Sequence, residues 1–317
     1  MTARWLRLLL LAQVSLLVLL GGALAWSGHP GAGLLLAVLG LPLGHGLFTG
    51  LHMALQAAWS ARHGGPACRG WPRWRAWLSE WWLSLRAFAW QQPWREQACP
   101  DQPFVRQGQG ARNRTGVVLV HGHFCNRAFW TPLMRSLDAQ GTPFAAVNLE
   151  PLPGDISAYG AIIDSAVERL RAGTGCAPVL LAHSMGGLAA RAWLAAAPEN
   201  AGRVAGLITI GTPHAGAWLA RFATSINASQ MRPGSPWLLA LQAREAGFAQ
   251  PPRGCVASDC DQLVYPEDAA WLAGAERVHV RGAGHIALAF HPVTRQCLQR
   301  FLDHADACSG RADGVVA

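Results

Sequence analysis

Ser184 stands between a short apolar run, Ala177-Pro178-Val179-Leu180-Leu181, and a run of helix formers from Leu188 to Leu194. Its neighbours two positions away, Ala182 and Gly186, are both small. A serine on a sharp strand-to-helix turn is held in an unfavourable backbone conformation that presents its hydroxyl, and only small flanking residues leave room for that turn. Such a serine becomes a nucleophile when a general base takes its proton and a carboxylate orients the base. The chain offers both downstream. Arg277 to Arg281 alternates as a strand and runs into Gly282-Ala283-Gly284-His285, a glycine turn that frees His285 to act as the base. Between serine and histidine, the stretch Ser258 to Pro266 carries Asp259 and Asp261. Asp261 is the favoured acid, because it precedes an apolar run that Pro266 stops, which places it at a strand end. Asp259 reads as a turn or surface carboxylate, and exchange of the two roles is the alternative.

Attack on a carbonyl also needs donors for the developing oxyanion. The β-branched run Val117 to Val120 ends in His121-Gly122-His123, where Gly122 permits close backbone approach. The backbone amides of His123 and of Met185, the residue after the serine, are the expected donors, each worth roughly 2.7–4 kcal/mol in the transition state. A zinc site at His121 and His123 is the competing reading, but no carboxylate or cysteine stands at a compatible local spacing. His279 lies within a strand and His291 and His304 in or beside the last helix, so these read as surface or packing residues. Cys125 reads as packing.

With these pieces in order, the chain resembles the α/β-hydrolase lipases and esterases, above all bacterial lipases carrying Ala182-His183-Ser184-Met185-Gly186-Gly187. The matching residues are Val120-His121-Gly122, Ala182 to Gly187, Gly211-Thr212-Pro213-His214-Ala215-Gly216, Asp261 to Pro266 and Gly282 to Leu288. The order Ser, Asp, His is that of the family. The resemblance implies Ser184 as nucleophile, Asp261 as acid, His285 as base and His123 and Met185 as oxyanion donors. It assigns no chemistry to Gly211 to Gly216. The implied fold is α/β, a mostly parallel sheet with helices on both faces.

The elements that must position these residues follow that alternation. Strands are expected at 117–121, 144–149, 177–181, 204–210 and 277–281, with helices near 129–140, 158–172, 188–194 and 290–305. Residues 213–252 are irregular, with five prolines and the apolar patch Trp237 to Leu241. They read equally as a lid over the site and as a connection containing one amphipathic helix.

The N-terminal third is of another kind. No charged side chain occurs from Leu8 to Ala61, where two apolar blocks, 8–26 and 32–59, flank Ser27-Gly28-His29-Pro30-Gly31. Each is long enough to cross a bilayer, which takes about 20 residues. The chain is thus expected to comprise a membrane anchor at 1–61, a Trp/Arg-rich interfacial segment and linker at 62–114, and a catalytic domain at 115–317. Arg4 and Arg7 before the hairpin, and Arg62, Arg69, Arg73 and Arg75 after it, put both ends and the catalytic domain in the cytoplasm, at a bacterial inner membrane. Ala23-Leu24-Ala25 also resembles a signal cleavage site; the domain lies outside only if 32–59 does not span. His45 and His52 share a helix face, as ligands or as a polar face packed on the first helix.

The net charge of +8 resides in residues 1–114, which hold eleven Arg against three acidic residues; the rest is neutral. This favours anionic membrane lipids over nucleic acid as a partner. Trp71, Trp74, Trp77 and Trp81 recur at helical spacing, so 71–90 reads as an interfacial helix, with packing on the catalytic domain as the alternative. Eight cysteines in 317 residues make no disulfide framework. Cys255 and Cys260 are expected to bridge outside the cell and to stay reduced inside it. No cofactor or metal is expected. The reading is a membrane-anchored serine hydrolase of lipid or other hydrophobic esters. An acyltransferase or thioesterase with the same triad, and a non-catalytic lipid-binding protein, are the alternatives.

Overall fold

The computed structural model describes residues 1–64, 68–104, 114–247 and 249–313. Strands β1 (Val117–Val120), β2 (Phe144–Ala146), β3 (Val179–His183), β4 (Gly206–Ile210), β5 (Arg253–Ser258) and β6 (Glu276–Val280) form one sheet, ordered β2-β1-β3-β4-β5-β6. Every pairing is parallel. The first four strands are buried along their whole length, as their unbroken apolar runs require of strands covered on both faces.

The helices are α1 (Thr2–Trp26), α2 (Pro30–His63), α3 (Gly70–Ser84), α4 (Gln92–Trp94), α5 (Thr131–Ala139), α6 (Gly160–Thr174), α7 (Met185–Leu194), α8 (Ile226–Gln230), α9 (Pro236–Glu245), α10 (His285–Phe290) and α11 (Pro292–Asp313). Two cores sandwich the sheet. Val118 and Val120 pack with Ile163, Val167 and Leu170 of α6 and with α7, while Val117 and Leu119 pack with Leu133, Met134 and Leu137 of α5 and with Leu298 and Leu302 of α11. This alternation along one strand is what places helices on both faces.

β5 is a strand absent from the sequence expectations. Its residues Arg253-Gly254-Cys255-Val256-Ala257-Ser258 have almost no β-branched character, and pairing with β4 and β6 makes it extended. Asp261 therefore lies in the loop after β5, not at the end of a strand running to Pro266.

α1 and α2 are longer than the expected blocks 8–26 and 32–59, and both are long and apolar enough to cross a membrane. They touch backbone to backbone: a Cβ added to Gly21 would lie 2.5 Å from the Gly33 carbonyl oxygen, and one added to Gly33 2.2 Å from that of Gly21. His45 and His52 do not converge; the first bonds Ser84 Oγ of α3 (2.9 Å) and the second the Phe48 carbonyl of its own helix (2.8 Å).

The segment after the hairpin is fastened to the sheet and its helices rather than strung beside them. Asn126 donates its side-chain amide to the Gln92 carbonyl (2.8 Å) and its backbone N–H to Gln92 Oε1 (2.8 Å). Arg127 pairs with Asp101 (2.5 Å) and donates to the Cys99 carbonyl (2.7 Å). Gln102 bridges Phe144 at the sheet edge. The tryptophans of α3 divide: Trp77 and Trp81 donate to the Gly46 and Pro42 carbonyls of α2 (2.9 and 2.7 Å), while Trp71 and Trp74 stay exposed. Cys260 forms a disulfide with Cys68, not with Cys255, which is a buried free thiol. Cys255 is thus reduced, as expected for a domain inside the cell, whereas Cys260 is bonded to a partner that neither expectation named.

Candidate active site

Loops leaving the C-terminal ends of β1, β3, β4, β5 and β6 lie together: Gly122 stands against Ser184, Ser184 is bonded to Ile210, Gly211 abuts Asp261 and His285, and His183, next to the serine, bonds the His285 carbonyl. β1 and β3 are neighbours whose onward connections run in opposite directions, so their ends open the crevice where open parallel sheets hold ligands.

Ser184 has φ 55° and ψ −129°, in the region L-residues avoid. The strain is held by its surroundings. Ser184 N–H donates to the Ile210 carbonyl (2.8 Å), and its carbonyl accepts from Thr212 Oγ1 (2.9 Å). Gly186 and Gly187 make that turn possible, since added Cβ atoms would lie 2.4 Å from the His121 oxygen and 2.1 Å from Thr212 Oγ1. A Cβ on Gly122 would stand 2.8 Å from Ser184 Cβ, so the loop after β1 lies against the serine. The amide of Met185 opens α7, where the first N–H groups have no intrahelical acceptor.

Asp261 and His285 are joined. Buried His285 donates from Nδ1 to Asp261 Oδ2 (2.8 Å), and Asp261 Oδ1 accepts from the Leu263 and Val264 amides (2.9 and 2.8 Å). Burial works against the charged imidazole. Asp261, by charge and hydrogen bond, and Glu80, by charge, outweigh it, so the pKa of His285 lies above that of an ordinary histidine. Gly211, at φ +51°, closes the group: an added Cβ would lie 2.8 Å from Asp261 Oδ2 and 3.1 Å from His285 Nδ1. Asp259 instead accepts from the Gly282 amide (2.8 Å) and stays off the histidine ring.

Of the other histidines, His121 accepts from the Leu149 amide at Nε2 (3.1 Å) and donates from Nδ1 to the Gly122 carbonyl (2.9 Å). Both nitrogens are taken, and burial pushes its pKa down to about 4, so it is a neutral brace rather than a zinc ligand. Burial also pushes His123 down to about 4, and its Nδ1 meets Asn227 of α8 (3.1 Å). His279 pairs with Glu267 (2.6 Å), away from the group.

Three residues around His285 carry no role in the sequence reading. His183 donates from Nε2 to the His285 carbonyl (3.0 Å) and stacks on Phe129. Gln262 Oε1 accepts from the His285 amide (3.0 Å). Glu80 of α3 accepts from Gln262 Nε2 (2.7 Å) and from the Ile286 and Ala287 amides (2.8 and 3.1 Å). The signal for Glu80 was available: it is the lone acidic residue among the first 95.

Residues 213–252 hold two different attachments. α9 is fixed to α7 by the buried Arg191–Glu245 pair and by Leu241 against Ala192 and Ala195. The stretch from Trp218 to α8 runs between Tyr265, which Trp218 meets ring to ring (5.9 Å), and His123, which Asn227 meets. It therefore reaches from the acid loop to the loop after β1.

A family model described as the alpha/beta hydrolase family matches residues 117–299. Over 125 residues the chain is 34% identical to triacylglycerol lipases of Pseudarthrobacter phenanthrenivorans and Burkholderia plantarii; the match covers 37% of this chain and 38% and 34% of those proteins. The chain thus spans little more than a third of either relative. The mature form of the lipase BlEst2 of Bacillus licheniformis superposes with a TM-score of 0.55 at 17% identity, over 62% of this chain and 95% of that one, which is a likeness of fold. The sheet order, the strained serine and the family match over more than half of its length together make this chain a member of the alpha/beta hydrolase family.

Proposed function

We propose that the chain is a membrane-anchored serine hydrolase that cleaves carboxylic esters with hydrophobic acyl groups. The observation that carries the reading is the Asp261–His285 hydrogen bond beside a serine held at positive φ. Asp261 occupies Nδ1, which leaves Nε2 as the basic nitrogen. In this reaction Ser184 Oγ adds to the ester carbonyl while its proton passes to His285 Nε2. The negative charge that develops on the carbonyl oxygen is met by the amides of His123 and Met185. Collapse expels the alkoxide, which takes the proton from His285, and leaves an acyl-Ser184. Water then attacks, giving its proton to His285, and the second collapse frees the acid and restores the serine.

A hydrophobic acyl group is supported by the side chains around the site. Phe124, Phe222 and Ile226 are exposed large apolar residues on the loop after β1 and on the stretch that spans from Tyr265 to His123. Two curated relatives are named triacylglycerol lipases, which agrees with such substrates. The leucine-rich faces of α1 and α2 and the exposed tryptophans of α3 suit bilayer and headgroup contact.

The test is labelling of membranes that contain the full-length protein with a fluorophosphonate. Wild type is expected to take the label and Ser184→Ala to lose it. Equal labelling of both, or none in a folded wild type, would overturn the assignment. Product analysis with glycerol or a thiol added distinguishes hydrolysis from acyl transfer.

A further inference from the structure

Each polar handle of the His285 backbone is taken by a side chain. His183 holds its carbonyl, Gln262 its amide, and Glu80 both holds Gln262 and receives the next two amides. Glu80 is not part of the hydrolase domain; it reaches in from α3, at a distance of 206 residues along the chain from Ile286. It is wholly buried. Among the described residues its three hydrogen-bond partners are all donors, which is the environment that suits a carboxylate.

A second trace of this contact lies in the sequence. Gly284, which precedes the histidine, has φ −73°, a value any residue adopts. Its need for glycine is instead steric, because an added Cβ would sit 2.6 Å from Glu80 Oε2. The glycine thus leaves room for a carboxylate supplied by another part of the chain.

We propose that Glu80 is a positioning residue for the general base: it fixes the backbone at residues 285–287 and adds a second negative charge that favours the imidazolium formed during catalysis. The proposal rests on His285 being that base. The charged and titratable groups facing His285 are Asp261 at Nδ1, Glu80 beneath its backbone, His183 with ring centroids 4.5 Å apart, and Asp259 on the preceding turn at Gly282. Arg86 lies over Phe290, at the far end of α10. Burial leaves the pKa of Glu80 above the ordinary carboxylate value, although its three donors and the charge of His285 pull it down; burial also keeps His183 neutral. With hydrogen-bond donors on both oxygens of Glu80, it is Glu80 and Asp261 whose negative charges favour a protonated His285.

The experiment measures fluorophosphonate labelling rates and p-nitrophenyl butyrate turnover against pH for the full-length protein. Glu80→Gln keeps the shape and removes the charge. It is expected to label and turn over at least tenfold more slowly per folded molecule at neutral pH, with KM within twofold; because the new amide NH2 faces a donor, the melting temperature is expected to fall as well. Its acid limb is expected to shift to lower pH, because loss of the anion makes the imidazole easier to deprotonate. Gly284→Ala, which crowds the same carboxylate, is expected to shift the limb in the same direction, and the double variant to go no further than either single one. A Glu80→Gln enzyme with the wild-type rate and acid limb would overturn the proposal. So would a loss of rate that merely tracks a loss of folded protein, or additive effects in the double variant. A folded wild type that takes no label overturns the hydrolase reading itself, whereas a labelled wild type matched by Glu80→Gln overturns this inference alone.

Discussion

Asp261 divides its carboxylate, giving Oδ2 to the His285 ring and Oδ1 to two backbone amides of its own loop. The acid is thus pinned before it orients the base. Replacement by asparagine leaves the shape but removes the charge and offers a donor where an acceptor is needed. Asp261→Asn is expected to lower kcat by roughly four orders of magnitude. Ester turnover by the purified variant checks this, and a loss under tenfold would return the role to Asp259.

The base must be neutral to accept the serine proton, so kcat/KM is expected to fall as pH drops through the pKa of His285. Because Asp261 and Glu80 raise that pKa, the midpoint should lie above the ordinary value of about 6.5. A pH–rate profile with a midpoint below that value would contradict the burial and charge balance described for the site.

Arg191 and Glu245 make two short contacts, 2.8 and 2.6 Å, with almost no solvent access to either. Removing one partner leaves the other charge buried and unpaired, at a cost of about 3–5 kcal/mol. Glu245→Gln is expected to show a loss of that order in denaturant unfolding. α9 is consequently a structural strut, and any mobile cover belongs to the stretch from Trp218 to α8.

Serine in place of both Phe222 and Ile226 is expected to lower kcat/KM for p-nitrophenyl palmitate roughly tenfold or more relative to the butyrate ester. Equal losses on both esters would remove this stretch from acyl recognition.

If both helices span, the arginines on the two flanks of the hairpin would put the hydrolase domain on the cytoplasmic side. The Cys68–Cys260 disulfide pulls the other way, because such bonds persist in oxidising compartments. A C-terminal green fluorescent protein fusion is expected to fluoresce and an alkaline phosphatase fusion to stay inactive. The reverse pattern would give the location to the disulfide.

Much of the site was legible because its chemistry needs particular residues next to each other in the chain. Ala182 to Gly187 and Gly282 to His285 are local turns, and local sterics leave marks in sequence. β5 was not legible, since its small residues become a strand only when β4 and β6 flank them. Glu80 stood out only as a lone acid; where it would act was hidden, since two of its partners are backbone amides 206 and 207 residues away, and an amide has no residue type to betray it. The same holds for Cys68, whose partner no spacing rule connects to it. Gln262 lay inside a recognised motif, yet only the fold showed which backbone amide it receives.

The bonds from Asn126 and Arg127 back to Gln92, Cys99 and Asp101 bear on how this enzyme can be handled. The family match begins at Val117, and a soluble recombinant version would naturally be cut there. Such a cut would strand a guanidinium without its aspartate, strip the edge of β2 and leave residues 285–287 without their carboxylate. A version that keeps the residues before Val117 is therefore the form to purify. For the same reason neither the appendage nor the hydrolase fold can be exchanged for a foreign counterpart without rebuilding the seam between them.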